Sequence, residues 1–190
     1  MKIGLYFGSF NPIHTGHLII ANHILNETDL QKIWFVVSPQ NPFKTNESLL
    51  HENKRLDLVK KSIADDERMM ASDIEFNLSK PSYTINTLTY LQENYPDEEF
   101  FIVMGSDSFQ GLYKWKNAET IIKEYKILIY QRPGFETENK LQAQIEVLNA
   151  PLLDISSTEI RELITKEKSI RYLVPDKARK EIEKKGYYKK

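Results

Sequence analysis

The chain of 190 residues contains no cysteine, which excludes disulfides, thiolate zinc sites and a cysteine nucleophile. It also lacks an excess of charge: 26 Lys and Arg stand against 27 Asp and Glu, for a net charge of -1. Without the broad positive field that gathers phosphate backbones, a DNA or RNA partner is not expected. The opening MKIGLYFGSF has one lysine and a short apolar stretch before a glycine, far short of a signal peptide or a bilayer span. A cytoplasmic protein with no membrane partner is therefore expected. Repeats and low-complexity tracts are missing too, and so is the G-x-G-x-x-G dinucleotide fingerprint, which leaves hydride transfer without support. What the chain does have is 41% apolar residues, enough for a packed core at this length.

Short apolar runs alternate with longer helical patterns from end to end, the layout of a parallel sheet with crossover helices. The spacing predicts strands at 2–7, 32–37, 69–74, 100–104, 126–130 and 152–155. It predicts helices at 16–27, 49–64, 83–94, 118–124, 136–147, 158–166 and 176–185, with 139–149 read as surface helix. Residues 1–190 are expected to form one domain, with the helical segment at about 167–190 packed on it. That segment is rich in Lys and Arg. A phosphate-binding tail is conceivable, but the charges are scattered around the helix, which suits a solvated amphipathic helix with a basic end.

The most informative stretch is Gly8-Ser9-Phe10-Asn11-Pro12-Ile13-His14-Thr15-Gly16-His17-Leu18, directly after the first strand and before a helix. A strand ending in a glycine turn lets backbone approach an anion, and the helix start offers free N–H groups and positive dipole. Gly8 and Gly16 leave room for that approach. His14 and His17, three apart, can point into one crevice, and both can donate to phosphate oxygens. A His-x-x-His pair also fits a metal, yet no third ligand stands at ligand spacing, so no protein-held metal is expected. His23 and His51 are read as ordinary surface histidines.

Ile155-Ser156-Ser157-Thr158-Glu159-Ile160-Arg161 is a second strand-to-helix junction. Ser156 with Glu159 makes a capping-box pattern, which by itself needs no ligand. The hydroxyls at 157 and 158, the free helix amides and the Arg161 guanidinium also make an anion site. Lys44, in a Pro- and Asn-rich loop, reads alone as an exposed lysine. Arg132 follows a strand in Gln131-Arg132-Pro133-Gly134, either as a turn residue or at the carboxyl edge where ligands of open α/β sheets bind.

The first of these motifs resembles the (T/H)-x-G-H signature of the nucleotidyltransferase superfamily, and the second resembles its ISSTxIR signature. The resemblance implies an α/β, Rossmann-like three-layer α/β/α fold with a mostly parallel central sheet, and transfer of a nucleotidyl group from a nucleoside triphosphate with release of pyrophosphate. Three further segments, Pro81-Ser82-Tyr83-Thr84-Ile85-Asn86-Thr87-Leu88, Met104-Gly105-Ser106-Asp107-Ser108-Phe109 and Leu112-Tyr113-Lys114-Trp115-Lys116, together with Tyr172-Leu173-Val174-Pro175-Asp176, are similar to the bacterial nicotinate-nucleotide adenylyltransferases over essentially the whole chain. The phosphopantetheine adenylyltransferases share the first and last motifs, but they are shorter and lack the SYTxxTL and tryptophan elements. A non-catalytic nucleotide-binding module would not require both halves of the phosphate site.

That resemblance implies ATP and nicotinate mononucleotide as substrates, with Mg²⁺ carried by the ATP phosphates. It implies that ATP is held by Gly8, Ser9, Phe10, His14, His17, Ile155, Ser156, Ser157, Thr158 and Arg161. His14, His17, Lys44 and Arg161 carry the catalysis in this reading. The mononucleotide falls to Lys44, Thr84, Ile85, Gly105, Asp107, Trp115, Lys116 and Arg132. Here Asp107 would accept from ribose hydroxyls, although a helix-capping aspartate is an ordinary role at such a turn. Trp115 would stack on the pyridine ring, where core packing is the plainer alternative. Thr84 and the amides of Ile85 and Lys116 would hold the nicotinate carboxylate. The chain departs from the family at Phe43, where an imidazole often precedes the lysine.

Overall fold

The computed structural model describes residues 1–40, 49–151 and 153–189. Its centre is a six-stranded sheet: β1 (Lys2–Gly8), β2 (Lys32–Val37), β3 (Met69–Ser72), β4 (Glu99–Gly105), β5 (Ile127–Tyr130) and β6 (Ile145–Leu148). The order is β3-β2-β1-β4-β5-β6, and every pairing is parallel. Side chains alternate faces along a strand, so a strand covered on both sides must be apolar at every position. Phe101 and Val103 of β4 pack on one face with Tyr6, Ile33, Phe35, Leu128 and Tyr130. Phe100, Ile102 and Met104 pack on the other with Ile3, Leu5, Trp34, Val36, Ile127 and Ile129.

Helices cover both faces, giving the expected α/β/α layers. The first core is closed by α1 (Thr15–Glu27), α2 (Glu52–Ile63), α6 (Ser157–Thr165) and α7 (Asp176–Lys185). The second is closed by α3 (Thr84–Asn94), the five-residue α4 (Ser106–Gln110) and α5 (Ala118–Glu124). The last helix is the amphipathic one expected: Ala178 and Ile182 are buried against α2, while Arg179 pairs with Asp176 and Glu183, and Lys177 with Asp65.

The reading at 136–147 and 139–149 is corrected. Residues 145–148 form the edge strand β6 in register with β5, Ile127 opposite Ile145 and Tyr130 opposite Leu148. The helix-favouring residues before it do not decide the matter. Asn139 pins the chain into a turn, its Oδ1 accepting from Ala143 N–H and its Nδ2 donating to Ala143 O, both at 3.0 Å. Ile145 then packs into one core and Leu148 into the other, and that burial overrides the weak propensity of the run. The strand expected at 152–155 is likewise absent at 153–155, and Leu152 lies outside the described residues. The third strand stops at Ser72 and gives way to a 3₁₀ turn at Ile74–Asn77.

The chain leaves β1 for one side of the sheet and returns through β4 on the other side. The carboxyl ends of these two neighbours part at Gly8 and Gly105, which opens the crevice where open α/β sheets bind ligands.

Candidate functional site

Two connected pockets occupy that crevice, sharing Tyr6, Phe7, Gly8, Ser108 and Tyr130. The polar one lies between the turn after β1 and the start of α6. It is bordered by Ser9, Phe10, His14, His17, Asp107 and Arg132 on one side and by Ile155, Ser156, Ser157, Thr158 and Arg161 on the other. The second, more apolar pocket lies under Tyr83, Thr84, Trp115, Lys116 and Gly105.

The imidazoles of His14 and His17 are stacked, with centroids 3.6 Å apart and planes at 27°. The His14 backbone N–H donates to His17 Nδ1 at 3.2 Å, so Nδ1 is an acceptor and the neutral ring carries its proton on Nε2. Edges of Phe10 and Tyr6 seat the His17 ring at 5.1 and 5.9 Å. His14 is 6% exposed, and burial with the nearby Arg132 charge lowers its pKa to about 4. Near neutral pH this imidazole is therefore uncharged.

The two glycines have a more local purpose than open access to an anion. A Cβ on Gly8 would stand 2.8 Å from the Phe10 ring, and one on Gly16 would stand 3.0 Å from His14 Nδ1. Their missing side chains are the space into which Phe10 and His14 fold. Phe10 itself has φ 45°, in the left-handed region that non-glycine residues seldom adopt.

The two sequence motifs meet directly. Ser157 Oγ donates to Pro12 O at 2.8 Å, and Arg161 Nη1 donates to Asn11 O at 2.8 Å. Arg161 Nη2 reaches Thr158 Oγ1 at 3.2 Å, and Ser156 Oγ caps α6 by accepting from Glu159 N–H at 3.1 Å. The Ser157 hydroxyl is thus spent within the protein. The Ser157 and Thr158 N–H groups at the start of α6, the Thr158 hydroxyl proton and the rest of the Arg161 fork are left to face an anion.

Asp107 and Arg132, assigned in sequence to the acceptor side, border the polar pocket, 3.7 Å from each other. Arg132 is also a turn residue, its carbonyl accepting from Phe135 N–H at 3.1 Å. Trp115 is half-buried against the second core and still borders the apolar pocket, so packing and ligand contact are compatible there. Thr84 borders the same pocket, and the side chain of Ile85 is buried in the core. The N–H groups of both belong to the first turn of α3, which no intrahelical carbonyl takes. Lys116 holds its ammonium 4.7 Å from the centre of the Tyr83 ring. Lys44 lies outside the described residues.

Sequence reading missed two buried polar residues beside these pockets. Glu75, 2% exposed, borders the apolar pocket and accepts from Thr87 Oγ1 at 2.8 Å; burial pushes its carboxyl pKa up against that hydrogen bond. Arg55 is fully buried on α2. Its signal was present, because Leu58 and Val59, three and four residues on, continue an apolar stripe that begins at a charged residue. Among the described residues no group of three or more His, Asp or Glu could hold a metal ion, and no helix is long and apolar enough to cross a membrane.

The sequence model of the cytidylyltransferase-like family matches residues 5–163. A "probable nicotinate-nucleotide adenylyltransferase" of Cytophaga hutchinsonii is 50% identical over 99% of this chain and 98% of its own length. A protein of the same name from Flavobacterium psychrophilum is 47% identical over the full length of both. Among solved structures, the Plasmodium falciparum nicotinic acid mononucleotide adenylyltransferase complexed with NaAD superposes with a TM-score of 0.85, covering 98% of this chain and 97% of that one. Its 24% identity makes that likeness one of fold. A glycine turn carrying stacked histidines, clasped by a capped Ser-Ser-Thr helix, is thus found in a chain that shares half its residues with such relatives from end to end, and the chain belongs to the cytidylyltransferase-like family and, within it, to the nicotinate-nucleotide adenylyltransferases.

Proposed function

We propose that the chain transfers AMP from ATP to nicotinate mononucleotide, with the triphosphate in the polar pocket and the pyridine end of the acceptor in the apolar one. The observation that carries this reading is the stacked His14–His17 pair facing the start of α6, with the His17 Nδ1 held as an acceptor at a ready anion site. The acceptor is a phosphate monoester whose second pKa is about 6, so at neutral pH its oxygen attacks the α-phosphorus without a general base. A P–O bond forms as the bond to the bridging oxygen breaks, and pyrophosphate leaves with the electron pair. Charge moves toward the β-phosphate during this step. His17 donates through Nε2–H, His14 through its one N–H, and Arg161 through its free N–H groups.

Lys44, Asp107 and Arg132 complete the contacts to phosphate and ribose in this reading. Thr84, the amides of Ile85 and Lys116, and the face of Trp115 take the nicotinate ring and its carboxylate. Mg²⁺ carried by the triphosphate would supply neutralisation of phosphate charge in the polar pocket. The protein works in the cytoplasm, as one domain with α7 as part of it. Incubation with ATP, Mg²⁺ and nicotinate mononucleotide should release pyrophosphate and form the dinucleotide. Phosphopantetheine should give none, and faster reaction with it would overturn the choice of acceptor.

A further inference from the structure

Arg55 is the largest of the fully buried side chains, at 0% exposure. Its guanidinium donates to four backbone carbonyls: Nε to Leu50 at 2.6 Å, Nη1 to Ser9 at 2.5 Å and Ser38 at 2.8 Å, and Nη2 to Pro39 at 3.2 Å. None of these partners is a carboxylate. Burial disfavours the charge, and Glu52 and Tyr188 act on it only through space. A buried cation tolerated in this way is held by carbonyl dipoles.

The four carbonyls come from three separate stretches of chain beside the two pockets, with Ser9 bordering the polar one and Ser38 the apolar one. Ser9 is in the turn after β1, Ser38 and Pro39 follow β2, and Leu50 precedes α2. Further bonds join the same stretches: Ser38 N–H donates to Gly8 O at 2.9 Å, and Leu50 N–H donates to Asn11 Oδ1 at 3.1 Å. Across the turn, Arg161 and Ser157 of α6 hold Asn11 O and Pro12 O. The Gly8–Pro12 turn is therefore gripped by α6 on one side and by Arg55 on the other.

We propose that Arg55 is a positioning residue of the transfer reaction, fixing the Ser9–Phe10 peptide and the backbone at 38–39 and 50 so that the phosphate donors of the polar pocket stand in register. The inference rests on reading that pocket as the triphosphate site. With the Ser9 carbonyl turned onto Arg55, the planar trans peptide sends the Phe10 N–H the opposite way, and Phe10 keeps its left-handed φ of 45° under that restraint. Phe10 in turn seats the His17 ring. Only a planar fork can serve this many carbonyls in different directions; an ammonium has three N–H groups on one atom.

Arg55→Lys keeps the charge and loses the fork, and Arg55→Met loses both. At saturating substrates Arg55→Lys should lose tenfold or more in kcat while the KM for ATP changes less than about threefold, because misplaced donors cost transition-state contacts first. Hydrogen exchange in this variant should speed up at residues 8–11, 38–40 and 49–51 and stay unchanged in β4 and β5. A kcat within twofold of wild type would overturn the proposal, and so would exchange that rises equally across the sheet, since that marks general loss of stability. If neither variant folds, the wild-type protein decides by NMR: the Arg55 Nε–H and the amides of residues 9–11 should share one opening rate, and fast amides beside a protected Nε–H would overturn it. A wild-type enzyme that releases no pyrophosphate would refute the functional reading, while the exchange measurements would still decide the role of Arg55.

Discussion

Protonating His14 should destabilise the fold. In the folded chain its pKa is about 4, against an ordinary 6.5, because burial first and the Arg132 charge second oppose the imidazolium. Between those two values the unfolded state binds more protons than the folded one, so stability falls as the pH falls. The contribution is fully present above the ordinary value. Linkage makes the loss about 2 kcal/mol by about pH 5 and about 3 kcal/mol once the pH is below the folded value. The comparison that isolates it is His14→Asn, which places a side chain favoured at an N-cap at the start of α1 and removes the titrating ring. Urea unfolding of both proteins at about pH 8 and pH 5 gives four free energies, and the carboxylates common to both cancel in the difference. Wild type should lose about 2 kcal/mol more than His14→Asn over that interval. Parallel losses would show that His14 titrates like an exposed histidine, and the argument for a permanently neutral donor would fail.

His17→Ala should lower kcat by about 10² or more with a smaller change in ATP affinity, as removal of an oxyanion donor does, and unchanged turnover would remove His17 from the mechanism. In Gly16→Ala the new methyl group would stand 3.0 Å from His14 Nδ1 and 3.2 Å from Cε1, so the stacked pair must shift. Helix propensity improves by about 1 kcal/mol at most, so thermal unfolding should hold while kcat drops by about tenfold, and the two assays together check the claim. Nicotinate mononucleotide should be preferred over its amide by at least about tenfold in kcat/KM, because a pocket of N–H and O–H donors leaves a buried donor facing the amide NH₂ at about 1–3 kcal/mol. Equal values would show that the donors of Thr84, Ile85 and Lys116 do not meet that group.

What could be read in the sequence was whatever local chemistry determines. The four inner strands, β2, β1, β4 and β5, are largely continuous apolar runs because both faces are covered, and the turn at 8–17 and the junction at 155–161 announce themselves by residue type. At 136–147 the outcome depends on a partner: the run becomes a strand because β5 offers a free edge and two cores take its side chains. The stacking of His14 on His17 also follows from shape, namely the space left by Gly16 and the edges of Phe10 and Tyr6. Arg55 and Glu75 were missed because a charged residue reads as surface until the groups that receive it are known, and the carbonyls that receive Arg55 come from loops that no periodicity describes.

The clasp between the two motifs carries a consequence for how the molecule is made. Ser157 reaches Pro12 across 145 residues of sequence and Arg161 reaches Asn11 across 150. As the chain emerges from the ribosome, the turn with its histidines must wait for the 145 residues that lead to Ser157 before its other wall exists. Every neighbour in the sheet is parallel, so each pairing also closes over a long loop, the arrangement that slows folding most. A nascent chain that already has its first strands and helices therefore has no complete site for the triphosphate. Ligand binding should be the last native property to appear during refolding, so ATP can reward only the finished molecule.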